Sequence, residues 1–208
     1  MPELLRKNMD KVQKINKAYY DQNVQSWVSS KLHSFYSESG FRKFARYFKT
    51  SAIILDIGCG HGRDIPLFLG IGRKLKYEGF DISQKFLDIA KSRYPQLAFI
   101  RGNLLEKRTL PHKKYDGFWA AATLQHIPEK DWPVMLDNFE GILTKNAIGY
   151  FSLPDDRPGP ASAEDPRHFT ILTDHKVKDI LNTRGWEILQ TGVLSATRST
   201  AVWRWYIV

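Results

Sequence analysis

The chain of 208 residues is 42% hydrophobic and 25% charged, and it carries a formal net charge of +9. Such a chain can form one α/β domain with a small appendage, and no apolar run approaches the roughly 18–20 residues needed to cross a membrane. A single cysteine excludes an internal disulfide bond and is typical of a reducing compartment. We therefore expect a cytoplasmic protein without a secretory signal.

Residues 1–50 differ from the rest of the chain in charge. They contain ten Lys or Arg against four Asp or Glu, a net charge of +6. Apolar residues recur at helical spacing from Leu5 to Tyr19, which predicts two or three helices with breaks near residues 21–23 and 38–40. A basic segment can attract nucleic acid or an anionic molecule, although a solvated face is the commoner meaning. We expect a helical cap on a single domain that spans residues 51–208.

A short apolar run, Ile53–Ile57, is followed by three alternating glycines, Gly58, Gly60 and Gly62. The run predicts a strand buried on both faces, and the glycines predict a tight turn at which a ligand can approach the main chain. In the dinucleotide fingerprint the third glycine comes three residues after the second, so this spacing disfavours it. The carboxylate of Asp56 would repel a phosphate and attract an ammonium group.

Polar residues follow the next two predicted strands. Residues 76–83 contain the second strand, and Asp81 lies beyond its expected C-terminal end, where the two carboxylate oxygens can accept hydrogen bonds from a ribose diol. Ser83 is the predicted N-cap of the following helix. Asn103 follows the third strand, residues 97–101. An acid at the end of the second strand also occurs in nicotinamide-binding folds, so it indicates an adenosine moiety only together with the glycine turn.

The second half of the chain supplies candidates for acceptor binding. Ala120 and Ala121 end the fourth strand and are small enough for a ligand to lie against it. His126 follows, and its imidazole can act as a general base near neutral pH, orient a substrate or simply pack the loop. After the fifth strand, a long Pro-rich polar loop is typical of a binding loop or lid and leads to Arg167 and His168.

The remaining pattern predicts one helix and two strands. Thr173 is the expected N-cap of the helix, which should end at Gly185. The strands are expected over residues 186–190 and 200–208, the second of them ending the chain.

Three of these segments resemble the class I S-adenosylmethionine-dependent methyltransferases, of the small-molecule type described as methyltransferase domain 11/25. Asp56 and the alternating glycines resemble their motif I. The sequence Tyr19-Tyr20-Asp21 resembles a signature of their N-terminal helical cap, and Leu124-Gln125-His126-Ile127-Pro128 resembles a segment after their fourth strand. The resemblance implies a Rossmann-like, doubly wound α/β fold. Its seven-stranded, mostly parallel sheet has the order 3-2-1-4-5-7-6, with strand 7 antiparallel.

The resemblance also implies a site for S-adenosylmethionine on the glycine turn. The cofactor-binding residues it implies are Tyr20, Asp56, Gly58, Cys59, Gly60, Arg63, Asp81, Ile82, Asn103, Leu104, Ala120 and Ala121. Asn103 stands where the family commonly has aspartate beside the adenine amine, and its amide oxygen can still accept from that amine. The candidate substrate residues are Tyr19, His126, Arg167 and His168, and His126 is also the candidate catalytic base. No metal ion is predicted.

The predicted function is direct transfer of a methyl group from S-adenosylmethionine to a small molecule, leaving S-adenosylhomocysteine. An anionic acceptor would suit the basic cap. An RNA substrate is the enzymatic alternative, and a non-catalytic S-adenosylmethionine-binding module is a further one. Nucleic-acid methylases that act on exocyclic amines carry an (Asn/Asp)-Pro-Pro-aromatic run after the fourth strand, and this chain lacks it. Cytosine-C5 methylases need a nucleophilic cysteine, and the single cysteine, Cys59, lies in the cofactor turn. These two classes are therefore excluded. The glycine spacing disfavours a nicotinamide-dependent oxidoreductase.

Overall fold

The computed structural model describes residues 3–29, 34–49, 51–71, 75–155, 165–195 and 202–208. Its strands form a seven-stranded sheet of order β3-β2-β1-β4-β5-β7-β6, in which β7 runs antiparallel to both neighbours. The predicted fold class and strand order are confirmed. Within the described ranges, no helix is long and apolar enough to cross a membrane.

The two central strands, β1 and β4, explain where ligands can bind. They pair in parallel with each other, and β1 also pairs in parallel with β2, so that Asp56 lies beside Gly79 on one side and Trp119 on the other. The carboxyl ends of the three strands therefore meet at one edge of the sheet. The strands are β1 Ala52–Ile57, β2 Leu75–Asp81, β3 Ala98–Arg101, β4 Tyr115–Ala120, β5 Leu143–Pro154, β6 Gln190–Ser195 and β7 Val202–Ile207.

Helices cover both faces of this sheet and extend beyond its edge. They are α1 Glu3–Gln22, α2 Val24–Ser29, α3 Ser34–Ala45, α4 Ile65–Gly70, α5 Gln84–Arg93, α6 Trp132–Ile142 and α7 Asp174–Asn182. Both predicted N-caps are confirmed, since Ser83 Oγ accepts a hydrogen bond from the Phe86 amide and Thr173 Oγ1 accepts one from the Lys176 amide.

The hydrophobic core lies in two layers, one on each face of the sheet. Neighbouring residues of β4 point in opposite directions, so Phe118 packs against Phe139 of α6 while Trp119 packs against the other layer. In that layer the Trp119 ring stacks on Tyr150 of β5, with 3.8 Å between the ring centroids. Phe41 of α3 contacts the same tryptophan, at 5.3 Å between centroids, so α3 is part of the core.

Two sequence expectations in this region are wrong. The helix break near residues 38–40 does not occur, because α3 continues through Gly40. This glycine is needed for close packing instead, since a Cβ atom there would lie 2.6 Å from Tyr150 Oη. The strand expected over residues 186–190 begins only at Gln190, because Trp186 packs against the core and leaves the sheet pairing to later residues.

Two expected boundaries also shift. α7 ends at Asn182, ahead of Gly185, which adopts a positive φ of 70° in the turn beyond. The sequence pattern predicts the fifth strand over residues 147–153, whereas β5 begins at Leu143 and ends at Pro154. Residues 156–164 of the Pro-rich loop, and residues 200–201 of the expected last strand, lie outside the described part of the chain.

Candidate functional site

A cavity of about 530 Å³ opens where the carboxyl ends of β1, β2 and β4 meet. This volume is within the range of small-molecule and cofactor pockets, and the position is where open α/β sheets bind ligands. The predicted residues that line it are Tyr20, Asp56, Gly58, Cys59, Gly60, Arg63, Asp81, Ile82, Asn103, Leu104, Ala121, His126 and Arg167.

The glycine turn after β1 forms one wall of the cavity. Gly58, Gly60 and Gly62 have φ values of 70°, 53° and 84°, and residues that carry a Cβ atom adopt such backbone angles only with strain. A Cβ atom on Gly60 would meet no other atom within 4 Å. The turn therefore leaves open space at this point, and the main chain there can be approached closely by a ligand.

Asp81 connects this turn to the end of β2. Its Oδ2 accepts a hydrogen bond from the Gly60 amide at 2.9 Å, and its Oδ1 accepts one from the Ser83 amide at 2.8 Å. Burial raises the pKa of Asp81 to about 6, although these backbone amides oppose the shift. The Ile82 backbone amide also contributes a hydrogen bond. Since a carboxylate has about four acceptor positions, Asp81 can still accept a hydrogen bond from a ligand.

Asp56 lies beneath the turn and is buried. Its Oδ2 accepts a hydrogen bond from the Tyr77 hydroxyl at 2.8 Å. Burial, and then the neighbouring carboxylate of Asp64, raise the pKa of Asp56 well above its usual value. A cation placed beside Asp56 would relieve both effects, so the site favours a positively charged group.

Arg63 lines the cavity but is already paired in the structure. Its Nε and one terminal nitrogen donate to the two oxygens of Asp64 at 2.8 and 2.9 Å. Trp119 Nε1 donates to the same carboxylate at 2.9 Å. Burial alone would lower the pKa of Arg63, but the Asp64 carboxylate holds it above its usual value. The guanidinium is therefore held in place and charged.

Cys59 lies in the same turn with its side chain buried. Burial, followed by the nearby Asp81 and Asp56 carboxylates, raises the pKa of its thiol well above the usual value. The neutral thiol is therefore the stable form, and Cys59 acts as a small apolar wall residue.

Asn103 lines the cavity beyond β3, but its side chain folds back on its own loop. The amide oxygen accepts a hydrogen bond from the Leu105 amide at 3.0 Å, and the amide nitrogen donates to Glu106. Leu104 is buried beside it and lines the same wall. The loop therefore holds the Asn103 side chain at the predicted adenine position with its amide oxygen already in use.

Tyr20 and His126 meet above the cavity. Tyr20 Oη lies 2.7 Å from His126 Nε2, and His126 Nδ1 lies 2.9 Å from the backbone oxygen of His168. A carbonyl oxygen can only accept, so Nδ1 carries the proton in the neutral ring. Nε2 is then the acceptor and the tyrosine hydroxyl the donor. The imidazole is thus oriented with its basic nitrogen toward Tyr20.

Arg167 completes this cluster from the segment after β5. One terminal nitrogen donates to Tyr20 Oη at 3.0 Å, while Nε and the other terminal nitrogen donate to Asp165 at 2.8 and 2.7 Å. The guanidinium also lies over four aromatic rings, at 4.5–5.4 Å from their centroids; these rings belong to Tyr19, Tyr20, Trp27 and Phe169. Burial raises the pKa of Tyr20, and the charge of Arg167 partly opposes that rise.

Three predicted site residues lie off the cavity. Ala120 is buried as the last residue of β4, and its neighbour Ala121 lines the cavity in its place. The Tyr19 ring lies beneath Arg167, and the His168 imidazole turns away to Thr170 Oγ1, at 2.9 Å from its Nε2. His168 contributes through its backbone, because its carbonyl oxygen fixes His126.

The sequence patterns missed the polar face of α1. Gln13 and Asn16 are buried and line the cavity, and their side-chain nitrogens donate to the backbone oxygen of His126. Together with Tyr20 they follow a three- and four-residue spacing, which places all three on one face of the helix. That spacing was a usable signal, but the apolar residues of the helix concealed it.

The cavity fits S-adenosylmethionine in three respects. A turn without side chains gives access to the main chain at Gly60, a buried carboxylate at Asp56 favours an ammonium group, and the oxygens of Asp81 remain able to accept from a diol. These features occur on one continuous wall.

Comparison with known proteins bears on the same region. Residues 54–146 match a family model described as a methyltransferase domain. A probable methyltransferase, ltbC of Aspergillus luteorubrus, is 29% identical over 126 residues, which cover 56% of this chain and 42% of that protein. A trans-aconitate 2-methyltransferase of Methylobacterium radiotolerans is 29% identical over 109 residues, covering 52% and 40%. The chain therefore spans about two fifths of the length of these relatives.

A solved structure extends the likeness to nearly the whole fold. The 1,6-didemethyltoxoflavin-N1-methyltransferase of Burkholderia thailandensis, with bound 1,6-didemethyltoxoflavin and S-adenosylhomocysteine, has a TM-score of 0.78 and 13% sequence identity. The alignment covers 96% of this chain and 88% of that one. At this identity the likeness concerns the fold.

Proposed function

We propose that this chain is a class I S-adenosylmethionine-dependent methyltransferase and that it transfers the methyl group of S-adenosylmethionine to a small molecule by direct displacement. One observation carries the proposal. Asp56, the glycine turn and Asp81 form one continuous wall of a cavity that extends past β4 to Tyr20 and His126. The cavity thus joins features suited to the cofactor with separate residues suited to a second reactant.

The cofactor wall has a role for each of its polar groups. Asp81 would accept hydrogen bonds from the ribose hydroxyls, and Asp56 would attract the amino group, directly or through water. Arg63, held by Asp64, retains a terminal nitrogen that can donate to the carboxylate of the methionine part. Gly58 and Gly60 would let the main chain contact the ligand without side-chain interference.

When bound, S-adenosylmethionine would supply a methyl group on a positively charged sulfur. The acceptor's lone pair would form the new bond to the methyl carbon, and the electron pair of the broken carbon–sulfur bond would stay on sulfur. The residues of the chain have to align the acceptor and exclude water. Alignment of reactants alone can lower a barrier by about 7–11 kcal/mol. The aromatic rings of Tyr20 and Phe169 line the acceptor side of the cavity and suit both tasks.

The Tyr20–His126 pair can take up the proton that an acceptor hydroxyl or amine loses. Nε2 of His126 already accepts from the Tyr20 hydroxyl, so a proton passed to Tyr20 Oη can be matched by transfer of the tyrosine proton to Nε2. The backbone oxygen of His168 stabilises the resulting imidazolium through Nδ1. In this role Tyr20 touches the acceptor and His126 acts behind it.

Transfer of radiolabel tests the proposal. The protein is incubated with S-adenosylmethionine labelled in its methyl group and with pools of small hydroxyl- and amine-bearing compounds, and label is sought in the compound fraction. We expect transfer in at least one pool, and its loss in Asp81→Ala but not in Asp88→Ala, a matched change of an exposed carboxylate on α5. Transfer into added RNA alone, or binding of the cofactor without transfer to any pool, would contradict it.

The relatives described above do not support the two alternatives, an RNA methyltransferase and a non-catalytic S-adenosylmethionine-binding module. They are named as methyltransferases and not as RNA-modifying or non-catalytic proteins. The same assay separates them from the proposed function, because it scores label in RNA and in small molecules independently.

A further inference from the structure

The half of the cavity beyond the cofactor wall combines aromatic rings with polar side chains of α1 and of the loop after β4. Residues of α1, α2, the segment after β5, and strands β6 and β7 contribute to it. Its apolar lining residues are Tyr20, Trp27, Phe169, Leu194 and Trp203. Aromatic walls favour flat partners, which stack or meet ring edges at centroid distances of about 4.5–7 Å. This half of the cavity therefore suits an acceptor that contains a ring.

Only two cationic side chains among the described residues line this half, Lys17 and Arg167. Each is paired with a carboxylate: Lys17 with Asp21 one turn further along α1, and Arg167 with Asp165. Asp21 also accepts from the Ser83 hydroxyl, which fixes it between the two elements. Neither cation offers an uncompensated charge to a ligand.

Of the two ion pairs, the one between Arg167 and Asp165 leaves the cation less able to bind a ligand. Both side chains are buried, at 7% and 5% exposure, and two nitrogens of the guanidinium donate to the two carboxylate oxygens. The Arg167 backbone amide also donates to Asp165 Oδ1, at 3.1 Å. The third guanidinium nitrogen donates to Tyr20, and aromatic rings cover the faces.

All three guanidinium nitrogens of Arg167 already donate, two to Asp165 and one to Tyr20, so an acceptor's carboxylate would have to compete with these partners for the guanidinium. Success would remove the guanidinium that pairs with the buried Asp165 carboxylate, which is strongly unfavourable in a protein interior. Failure would leave the acceptor's own charge unpaired in an aromatic pocket, which is also unfavourable. A neutral ring compound meets neither penalty.

We propose, on the basis of the function proposed above, that the methyl acceptor is an uncharged ring compound and that Asp165 sets this selectivity by neutralising Arg167. The inference departs from the expectation of an anionic acceptor that the basic cap suggested. It also departs from trans-aconitate, the compound named in one of the relatives. Of the basic residues between positions 11 and 49 whose side chains the structure describes, only Lys17 lines the cavity, so the charge of the cap does not change the balance within it.

Matched probe pairs test this inference. Titration calorimetry is performed on protein saturated with S-adenosylhomocysteine, using methyl 3-hydroxybenzoate against 3-hydroxybenzoate, and methyl 3-hydroxy-2-naphthoate against 3-hydroxy-2-naphthoate, with trans-aconitate as a further anion. We expect at least one neutral ester to bind at least about tenfold more tightly than its carboxylate partner. Equal or tighter binding of the anions, or no binding of either ester, would overturn the inference.

The variant Asp165→Asn tests the role of the residue itself. Because the amide keeps the size of the side chain and removes its charge, we expect the carboxylate probes to bind at least about tenfold more tightly than to the wild type. Affinity for S-adenosylhomocysteine should stay within about twofold. An unchanged ratio between neutral and anionic probes in a folded variant would overturn the role of Asp165.

The outcomes separate this inference from the function on which it rests. If the wild type fails to bind S-adenosylhomocysteine, both are contradicted. If it binds S-adenosylhomocysteine and prefers the anionic probes, only the inference fails. If the melting curve shows that Asp165→Asn does not fold, the comparison of neutral and anionic probes on the wild type alone decides whether the inference holds.

Discussion

Tyr20 Oη lies 2.7 Å from His126 Nε2, and this contact joins the N-terminal helix to the loop after β4. The backbone oxygen of His168 holds the opposite nitrogen of the same ring at 2.9 Å. Three segments that are far apart in the chain therefore fix one imidazole tautomer at the mouth of the cavity. In the proposed reaction, the tyrosine hydroxyl, with the imidazole behind it, is the group that faces the acceptor.

Removing the Tyr20 hydroxyl should slow the chemical step. In Tyr20→Phe the ring packing remains but the path from acceptor to His126 is broken, so we expect kcat to fall by about 10²–10⁴. The KM for S-adenosylmethionine should change by less than about threefold. Steady-state kinetics with the acceptor found by label transfer measures both.

Tyr19→Phe is the matched control for this change. The Tyr19 ring packs under Arg167 and lies off the cavity, so loss of its hydroxyl should leave kcat within about threefold. Equal losses of kcat in the two variants would show that the Tyr20 hydroxyl has no special part in the reaction.

Cofactor affinity should depend on pH through Asp81. Its pKa is about 6 in the folded protein, so the carboxylate is ionised at pH 7.5 and becomes protonated as the pH falls below 6. Protonation weakens its ability to accept from a ribose diol. The dissociation constant for S-adenosylhomocysteine should therefore be flat above pH 7 and should rise by up to about tenfold per pH unit below 6.

Asp81→Ala supplies the comparison, since it removes the titrating group. We expect this variant to bind S-adenosylhomocysteine more weakly than the wild type at pH 7.5, by about 1–3 kcal/mol. Its affinity should also be nearly independent of pH between about 5 and 7, because the carboxyl group that titrates in this range is gone. A wild-type profile with the same slope as that of Asp81→Ala would assign the pH dependence to another group.

Gly60→Ala should strain the backbone and also weaken binding of the cofactor. The residue has a φ of 53°, so alanine there costs about 1–2 kcal/mol of folding free energy. Its added methyl group would also point into open space beside the main chain that the cofactor approaches. We expect both a lower free energy of unfolding in urea and a weaker affinity for S-adenosylhomocysteine.

Gly185→Ala separates the two effects. Gly185 has a φ of 70° and nothing within 4 Å of its added Cβ atom, but it lies after α7, away from the cavity. The loss of stability should be similar and the affinity unchanged. If Gly60→Ala bound the cofactor as tightly as Gly185→Ala does, the turn would not be a contact site.

Gly40→Ala tests the packing of α3 on the sheet. The new methyl group would lie 2.6 Å from Tyr150 Oη, so the ring must shift and we expect a loss of about 1–3 kcal/mol in the free energy of unfolding. Gly141→Ala, near the end of α6, meets no atom within 4 Å and should be neutral or slightly stabilising. Denaturant titration of the two variants measures the difference, and equal stabilities would contradict the close contact.

Local patterns predicted alternating strands and helices but not the order of the strands in the sheet. The apolar run before Gly58 and the acid at Asp81 each reflect a strand end, and the known order of such sheets then follows from the family resemblance. The failures came from tertiary contacts. Local spacing predicts a helix break at Gly40, since the close approach of this glycine to Tyr150 cannot be inferred from nearby residues. Local spacing also predicts that β6 begins at Trp186, whereas this apolar residue packs against the core outside the strand.

The site was predictable where it depends on backbone shape and unpredictable where it depends on pairing. The glycine turn and Asp81 follow from spacing along the chain. The ion pairs of Arg63 with Asp64 and of Arg167 with Asp165 do not follow from spacing, because they form only in the folded structure. The pairing of Arg167 with Asp165 is also the basis of the proposal that the acceptor is a neutral molecule.

Calorimetric titration of S-adenosylhomocysteine and NAD into the wild type and Asp81→Ala tests the central claim most directly. We predict one S-adenosylhomocysteine bound per wild-type chain, binding about 1–3 kcal/mol weaker in Asp81→Ala, and no binding of NAD. Tight binding of NAD without binding of S-adenosylhomocysteine would contradict the assignment of this cavity to S-adenosylmethionine.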